Sequence, residues 1–310
     1  MKLKIWLSAL GMALAPMTGN YTAVLLTETL FTFLVTLGVF LWGRGRFIWT
    51  GIAFGLAILT RPVMLPFVLV LPVLTLLPAM RRQRRAYILI AVMAVAEASV
   101  WIVRNAIVFH RFIPVAASGW GTNLLCGTIE TSFVGGWVRT SGAWTSLELD
   151  QNPITRVDAG LDEVAADHER MRRAIDRIAQ APSGWIAVRA KQYPRLFLES
   201  GDYLLGSHSR PLAEALREGR LLVVVTKFGF MLGNLIVIAL GLCGMFLERR
   251  RFVWLSHITL FPVYLSVVHL PVWVEPRYSL PMMPEVAILT AVGLVWLIKT
   301  TSAYKLVSNT

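Results

Sequence analysis

Apolar runs long enough to cross a lipid bilayer recur along this chain and limit what it can fold into. A helix of about 20 apolar residues spans the hydrocarbon core of a membrane. The chain has 310 residues, of which 56% are hydrophobic and 15% are charged, and its mean hydropathy is +0.62. Soluble domains are nearer half apolar and a quarter charged. The sequence therefore predicts an all-α, polytopic membrane protein.

The net charge of +12 is concentrated in short basic clusters beside the apolar runs. Between Asn105 and Leu221 the acidic and basic residues are equal in number, so the excess lies elsewhere. Such clusters indicate cytoplasmic loops that touch anionic lipid headgroups, and this distribution argues against a nucleic-acid partner. The clusters are Lys2 with Lys4, Arg44 with Arg46, Arg81 to Arg85, Arg249 to Arg251, and Lys299 with Lys305.

Placing every basic cluster on one side gives about eight transmembrane helices with both termini in the cytoplasm. N-terminal helices over 1–104 and C-terminal helices over 221–310 then flank a large periplasmic loop over 105–220. The loop is too long for a simple connector, and its stretches over 162–180 and 183–205 favour amphipathic helices, the second lying on the membrane surface. The predicted spans are 1–17, 22–42, 47–60, 63–80, 86–103, 221–247, 252–270 and 286–298.

Two charges stand at the ends of an apolar hairpin early in the chain. The hairpin runs from Leu25 to Pro62 through the basic turn over 43–46, with Glu28 near its start and Arg61 near its end. If the turn is cytoplasmic, both charges meet near the opposite membrane face. Charges inside membrane segments are costly, which makes both residues functional candidates.

Four basic residues outside the loop fall at or just below the outer face, where the positive-inside rule disfavours them. One interpretation pairs them with acidic residues or lets them reach lipid headgroups. The other has them bind an anionic group such as a lipid-linked phosphate, because the Arg fork of donors matches phosphate oxygens. The four are Arg61, Arg104, Lys227 and Arg277, and the acids considered as partners are Glu28, Glu97 and Glu275.

Spacing within the helices predicts two local contacts. Glu97, Trp101 and Arg104 share one helix face, which favours an ion pair between Glu97 and an arginine. Gly51 and Gly55 form the small-residue pattern that lets two helices approach closely. The two cysteines make neither a disulfide framework nor a metal-ligand spacing, and no catalytic triad or phosphate loop is present.

An ordered set of motifs resembles the membrane core of C-type (GT-C) glycosyltransferases, and most of all the family-39-like enzymes, which include protein O-mannosyltransferases and aminoarabinose transferases. The resemblance extends over nearly the whole chain. Its motifs are Thr27-Glu28 ahead of an apolar helix, GLAILTRP over 55–62, WIVRN over 101–105, SGWGTNLLCG over 118–127 and PRYSLPMMP over 276–284.

The resemblance implies a transferase that moves a sugar from a polyprenyl-phosphate donor to a lipid, glycan or protein acceptor. The reaction would take place at the periplasmic face of a bacterial inner membrane. Such enzymes invert the anomeric carbon and use an acidic residue of the first external loop as general base, often near a divalent metal ion. The positions that match family motifs are Glu28, as a supporting acid, and Arg61, Arg104, Asn105, Arg277 and Tyr278, as binders of the lipid phosphate.

The chain departs from the family pattern at its start. No acidic residue precedes Glu28, so the expected general base has no position in this sequence. The expectations that follow are a truncated chain, one part of a split protein that works with a separate N-terminal fragment, or a relative that no longer catalyses. Glu28 acting as the base is a further alternative.

A second class of function stays open, namely a lipid-linked-sugar flippase or transporter, or an inactive scaffold that binds polyprenyl phosphate. A transporter would place charges or broken helices near the bilayer midplane and show paired repeats. Here the charges collect at one interface beside a large external loop. That arrangement favours transfer chemistry.

Overall fold

Helices make up most of the chain in the computed structural model, which describes residues 27–116, 119–129, 132–134, 137–140, 143–146, 160–198, 205 and 212–308. The helices are α1 (Thr27–Gly43), α2 (Phe47–Thr60), α3 (Met64–Leu74), α4 (Arg84–Phe109), α5 (Trp120–Cys126), α6 (Glu163–Gln180), α7 (Pro182–Gln192), α8 (Leu212–Arg217), α9 (Leu221–Leu247), α10 (Phe252–Val268) and α11 (Met283–Ser308).

Three helical stretches within the described residues are long and apolar enough to cross a membrane. They are Pro78–Phe109, Leu221–Leu247 and Pro276–Thr301. Four shorter apolar helices accompany them, and these are Thr27–Gly43, Phe47–Thr60, Met64–Leu74 and Trp254–Val268. The structure is therefore that of a helical protein compatible with a membrane.

The predicted helix bounds hold for α2 and α9 and differ most at α3. The predicted span over 63–80 is broken, because α3 ends at Leu74 and a 3₁₀ segment over Pro78–Gln83 follows. Leu77 is extended directly ahead of Pro78, because the residue before a proline is disfavoured in the helical conformation. Residues 1–26, with the predicted first helix, lie outside the described part of the chain.

The chain divides into two units. The first contains the chain up to Val115, Leu235–Leu265 and the chain from Leu280 onward. The second contains Ala116–Asn234 and Ser266–Ser279, so it lacks the first residues of the predicted loop over 105–220 and extends beyond its end.

Glycines bring the helices of the first unit close together. Gly51 and Gly55 of α2 face α4, where a side chain at Gly51 would lie 2.9 Å from the carbonyl oxygen of Ile90. The predicted small-residue contact is thus confirmed. Gly244 of α9 and Gly293 of α11 meet in the same way, each against the backbone of the other helix.

An aromatic cluster fills the space between these helices. The ring of Phe67 lies edge-on to Phe54 at 5.9 Å and to Phe261 at 5.4 Å, and Trp42 packs edge-on against Tyr87 at 5.2 Å. All five side chains are buried. Edge-to-face aromatic pairs add stability beyond the area that they bury, so this cluster forms the core of the unit.

In the second unit, one buried carboxylate of α6 holds the segment that leads into α5. The oxygens of Asp167 accept hydrogen bonds from the backbone N–H groups of Gly119, Gly121 and Thr122, each at 3.0 Å. An acid at a helix start satisfies N–H groups that have no partner inside the helix. An acid from a later helix therefore holds the backbone at the start of α5 in place.

A further set of polar contacts fixes the turn that ends α5. Arg189 of α7 donates to the carbonyl of Gly127 at 3.4 Å and to Oε1 of Gln192 at 3.2 Å, while Gln192 donates to the carbonyl of Ile129 at 3.0 Å. Burial, with repulsion from Arg195, lowers the pKa of Arg189 to about 10, so its charge persists at neutral pH.

The second unit also contains a small antiparallel sheet, an element that the sequence analysis did not predict. Strand β2 (Trp137–Thr140) pairs on one side with β1 (Ser132–Val134) and on the other with β3 (Ala143–Ser146). The register places Phe133 opposite Val138, and Arg139 opposite Trp144. A strand is recognised in a sequence by alternating apolar and polar residues, and strands of three or four residues are too short to show that alternation.

Candidate functional site

The two charges of the apolar hairpin meet, as the sequence predicted. Nη2 of Arg61 lies 2.6 Å from Oε1 of Glu28, and the side chains are 24% and 2% exposed. Arg61 leaves the helical conformation at the end of α2 because Pro62 follows it, and this places its side chain opposite the first turn of α1. The result is a nearly buried, charge-assisted hydrogen bond between two helix ends.

The Trp101, Arg104 and Asn105 motif forms one local arrangement at the end of α4. Nε1 of Trp101 donates to the carbonyl of Val115 at 3.3 Å, and Nδ2 of Asn105 donates to that of Ile113 at 3.4 Å. These two hydrogen bonds hold the segment that follows α4 against the last turns of that helix. The reversal starts at His110, whose φ of 51° is left-handed.

Arg104 is exposed and is held without an acidic partner among the described residues. Its guanidinium carbon lies 4.9 Å from the ring centroid of Trp101 and 5.7 Å from that of Phe109. Nη1 donates to Oδ1 of Asn105 at 3.0 Å. The aromatic rings position the cation by attraction to their faces and leave further N–H donors for a ligand.

The predicted ion pair between Glu97 and an arginine is wrong. The side chain of Glu97 packs against Gly55 of α2, and its Oε2 is buried with no hydrogen-bond partner among the described residues. Arg104 lies two turns further along α4 and stacks on Trp101 instead. The helical spacing placed the two residues on one face, but the glycine of the neighbouring helix draws Glu97 into the helix interface.

Arg277 and Tyr278 belong to the second unit and form a separate polar group. Nε of Arg277 is paired with Oε2 of Glu275, which is 2% exposed. The guanidinium carbon lies 5.5 Å from the ring centroid of Tyr278, and that ring stacks at 5.3 Å on His269. Arg277 is thus a paired cation whose side chain keeps 27% exposure.

The predicted site residues accordingly fall into three groups. Glu28 with Arg61, and Arg104 with Asn105, lie in the first unit, whereas Arg277 and Tyr278 lie in the second. Two of the three arginines pair with the acids that were considered for them, which matches the interpretation as structural ion pairs and leaves a ligand role untested. Lys227 is 4% exposed on α9, so burial removes it from any accessible surface.

The divalent metal ion that the family resemblance implies stays an expectation. No group of three or more His, Cys, Asp or Glu side chains comes together in the described part of the chain. Hard divalent cations require several oxygen ligands at one point.

One candidate was missed by the sequence analysis, namely Glu285 in the first turn of α11. It is 1% exposed, and both carboxylate oxygens are buried without a hydrogen-bond partner among the described residues. The available signal was an acidic residue at the junction between a proline-rich turn and an apolar helix. The lack of hydrogen-bond partners for its carboxylate oxygens depends on how the helices pack around it, which the sequence does not show.

Comparison of the chain with protein-family models, with curated proteins and with solved structures finds no match. The resemblance to C-type glycosyltransferases therefore stays a prediction from the motifs.

Proposed function

We propose that this chain is a membrane glycosyltransferase, or the greater part of one, that takes a sugar from a polyprenyl-phosphate donor. The acceptor would be a lipid, a glycan or a protein at the periplasmic face of a bacterial inner membrane. In this proposal about eight helices span the membrane with both termini cytoplasmic. A divalent ion and a separate N-terminal fragment that carries an acidic loop remain part of the family expectation.

The observation that carries the proposal is Arg104. Arg104 is exposed, its guanidinium lies over the rings of Trp101 and Phe109, and it has no acidic partner among the described residues. Positive charge on the outer side of a membrane protein is disfavoured unless an anion compensates it. A phosphate group accepts two parallel hydrogen bonds from the edge of such a guanidinium.

Two other features support chemistry at a membrane interface. Arg61 and Arg277 each keep about a quarter of the side chain exposed beside a buried acid, so both present a cation that is already fixed in place. On α7, which is predicted to lie on the membrane surface, Ile186 presents an apolar side chain that is 59% exposed. A leaving phosphate at this interface would be stabilised by such pre-oriented cations.

Binding of undecaprenyl phosphate to the full chain in lipid nanodiscs tests the proposal. Arg104→Ala should weaken binding about tenfold or more, since a hydrogen bond to a charged group contributes about 1.5–3 kcal/mol. Arg61→Ala and Arg277→Ala should reduce both binding and sugar transfer. Arg172→Ala is the matched control, because Arg172 is an exposed arginine on α6 whose partners are the acids of its own helix.

Transfer is followed with undecaprenyl-phosphate-linked radiolabelled mannose, glucose, galactose and arabinose. Full binding and full transfer in all three arginine variants would contradict the phosphate assignment. Movement of the lipid-linked sugar across the bilayer without cleavage would favour a flippase instead.

A further inference from the structure

Four exposed arginines form a turn between α3 and α4. This arginine turn consists of Arg81, Arg82, Arg84 and Arg85. The first two belong to the 3₁₀ segment that follows α3, and the other two open α4. Four positive charges are therefore presented to the surroundings within five residues, on a backbone of defined conformation.

The charge of the arginine turn is not balanced by acids in the described part of the chain. None of its four side chains takes part in a salt bridge there. The sequence contains no Asp or Glu between Glu28 and Glu97, and Glu97 lies roughly 18 Å beyond Arg85 along α4, at 1.5 Å per residue. The first turn of α4 also lacks the acid that the helix dipole favours. Repulsion among the four charges therefore favours a bound anion.

A second basic cluster, at the end of α9, differs because it has partners of its own. Arg251 pairs with Glu248 at 3.3 Å, and the guanidinium of Arg249 lies 3.9 Å from the ring centroid of Phe246. Orientation in a membrane requires only positive charge in a short loop. That rule explains both clusters, but it does not explain four arginines left without partners among the described residues.

The spacing of the arginine turn sets its side chains in two pairs. Residues i and i+3 lie above one another in a 3₁₀ helix and are neighbours in an α-helix. Arg81 and Arg84 have this spacing, and so do Arg82 and Arg85. An arginine donates two parallel hydrogen bonds to phosphate oxygens, which a lysine cannot do. The arrangement therefore suits a ligand that carries two phosphates.

Met80 fixes the arginine turn to the protein. Its side chain is 6% exposed, and its Sδ accepts a hydrogen bond from Oη of Tyr87 at 3.6 Å. Tyr87 in turn packs against Trp42 in the aromatic cluster. A backbone that is held in place before binding loses less entropy when a ligand binds.

Apolar side chains are exposed directly before the arginine turn. Leu76 is 75% exposed and Leu77 is 53% exposed. The stretch Pro78–Phe109, which is long and apolar enough to cross a membrane, begins at the next residue. Leucines that face acyl chains beside arginines that reach headgroups are typical of a membrane boundary. A lipid meets both requirements, whereas free phosphate meets only one.

We propose that the arginine turn binds a phospholipid with two phosphates, which is the chemistry of cardiolipin. Each arginine pair holds one phosphate, and the leucines before the turn contact the acyl chains. In the predicted topology this site lies on the cytoplasmic side, opposite Arg61 and Arg104, so it is distinct from the proposed donor site. Lipid binding here does not depend on sugar transfer.

Titration of the full chain in detergent with cardiolipin, with the bound lipid counted by native mass spectrometry, tests the site. Arg82→Gln combined with Arg85→Gln should weaken cardiolipin binding about 30-fold, since each arginine near anionic lipid contributes about fivefold. The wild type should bind cardiolipin more tightly than phosphatidylglycerol, which has one phosphate. Detergent micelles have no sides, so the result is independent of the orientation that the charges set in a cell.

Two further variants separate a phosphate site from general attraction. Arg249→Gln with Arg250→Gln removes the same charge from another exposed cluster, and it should keep the affinity within about threefold because charges beyond the site are screened. Arg82→Lys with Arg85→Lys keeps the charge but removes the paired donors, so it should restore only part of the affinity that the glutamine variant loses.

The site would be overturned by a glutamine variant that binds cardiolipin like the wild type, or by an equal loss in the control variant. Full affinity in the lysine variant would show attraction by charge alone and would also contradict the site. So would equal affinity of the wild type for the two lipids, because the arginine pairs predict two phosphates on one molecule.

If the glutamine variant does not fold, protection of the wild type decides. Phenylglyoxal modifies guanidinium groups, and mass spectrometry locates the modified residues. Cardiolipin should slow the modification of Arg82 and Arg85 and leave that of Arg249 and Arg250 unchanged. Unchanged rates at the arginine turn, or equal protection of both clusters, would contradict the assignment.

Discussion

At the scale of single residues, the molecule contains buried charges in two different states. The charges of Glu28 and Arg61 compensate each other. Removal of either side chain would leave the other charge without its partner, which destabilises the folded protein. Glu285 has no such neighbour within the described residues. The two carboxyl groups are therefore equally buried but differ in compensation.

The thiol of Cys126 offers a test of burial at one residue of the second unit. Burial, partly offset by the charge of Arg170, raises the pKa of Cys126 from 9.0 to about 11. The thiolate fraction at pH 8 is then roughly 100-fold smaller than in the unfolded chain, and the thiolate is the reactive form. In a Cys243→Ser variant, alkylation by iodoacetamide at pH 8 should be at least roughly 100-fold slower than after unfolding in detergent.

The second cysteine is removed in that measurement so that a single thiol is followed. Raising the pH should accelerate the reaction until the pH passes about 11. A folded protein that reacts as fast as the unfolded chain would show that Cys126 is accessible, and that α5 does not pack as the structure has it.

At the scale of the elements, α2 depends on glycine for its contact with α4. A side-chain carbon at Gly51 would lie 2.9 Å from the carbonyl oxygen of Ile90, and one at Gly55 would lie 3.1 Å from that of Ala94. Backbone cannot yield as a flexible side chain does. Close approach therefore positions α2, and with it Arg61 at the end of that helix.

Gly51→Ala should accordingly lower the melting temperature of the full chain. Overpacking a tight contact costs about 1–3 kcal/mol. Gly229→Ala is the matched control, because Gly229 lies within helix α9 with no atom within 4 Å of the added carbon. Alanine there should leave the melting temperature unchanged or raise it, since alanine favours the helix by about 1 kcal/mol over glycine. Equal melting temperatures for both variants would contradict the tight contact.

The elements also show where sequence patterns suffice and where they do not. Continuous apolar runs bounded by charged residues predicted α2 and α9 to the residue, and the small-residue spacing predicted the contact of α2. The end of α3 was missed, because the apolar run continues to Pro78, where Leu77 becomes extended. The hydrophobicity of a segment does not report the restriction that a proline places on the residue before it.

The candidate site was predictable only in part for a related reason. The meeting of Glu28 with Arg61 follows from two helices of similar length joined by a short turn. The isolation of Glu285 and the insertion of Glu97 beside Gly55 depend on which helices are neighbours in space. Which helices are neighbours cannot be read from a local pattern in one sequence.

At the scale of the whole molecule, the proposed topology places the basic clusters and the large loop in different compartments. Asymmetry of Lys and Arg between short loops sets the orientation of a membrane protein. The second unit, in contrast, contains most of the stretch from Asn105 to Leu221, in which acidic and basic residues are equal in number. Orientation should therefore follow from the clusters, with the loop transported to the outer side.

Single cysteines in a Cys126→Ser and Cys243→Ser background test this arrangement. His168→Cys and Arg172→Cys lie on the exposed face of α6, while Arg82→Cys and Arg250→Cys lie in exposed basic clusters. A membrane-impermeant maleimide should label the first two in spheroplasts and the last two only after permeabilisation. Equal exposure controls for access to the reagent, so the difference reports the side of the membrane. Labelling of all four without permeabilisation would put the loop and the clusters in one compartment, and chemistry at a periplasmic face would then have no support from the charges.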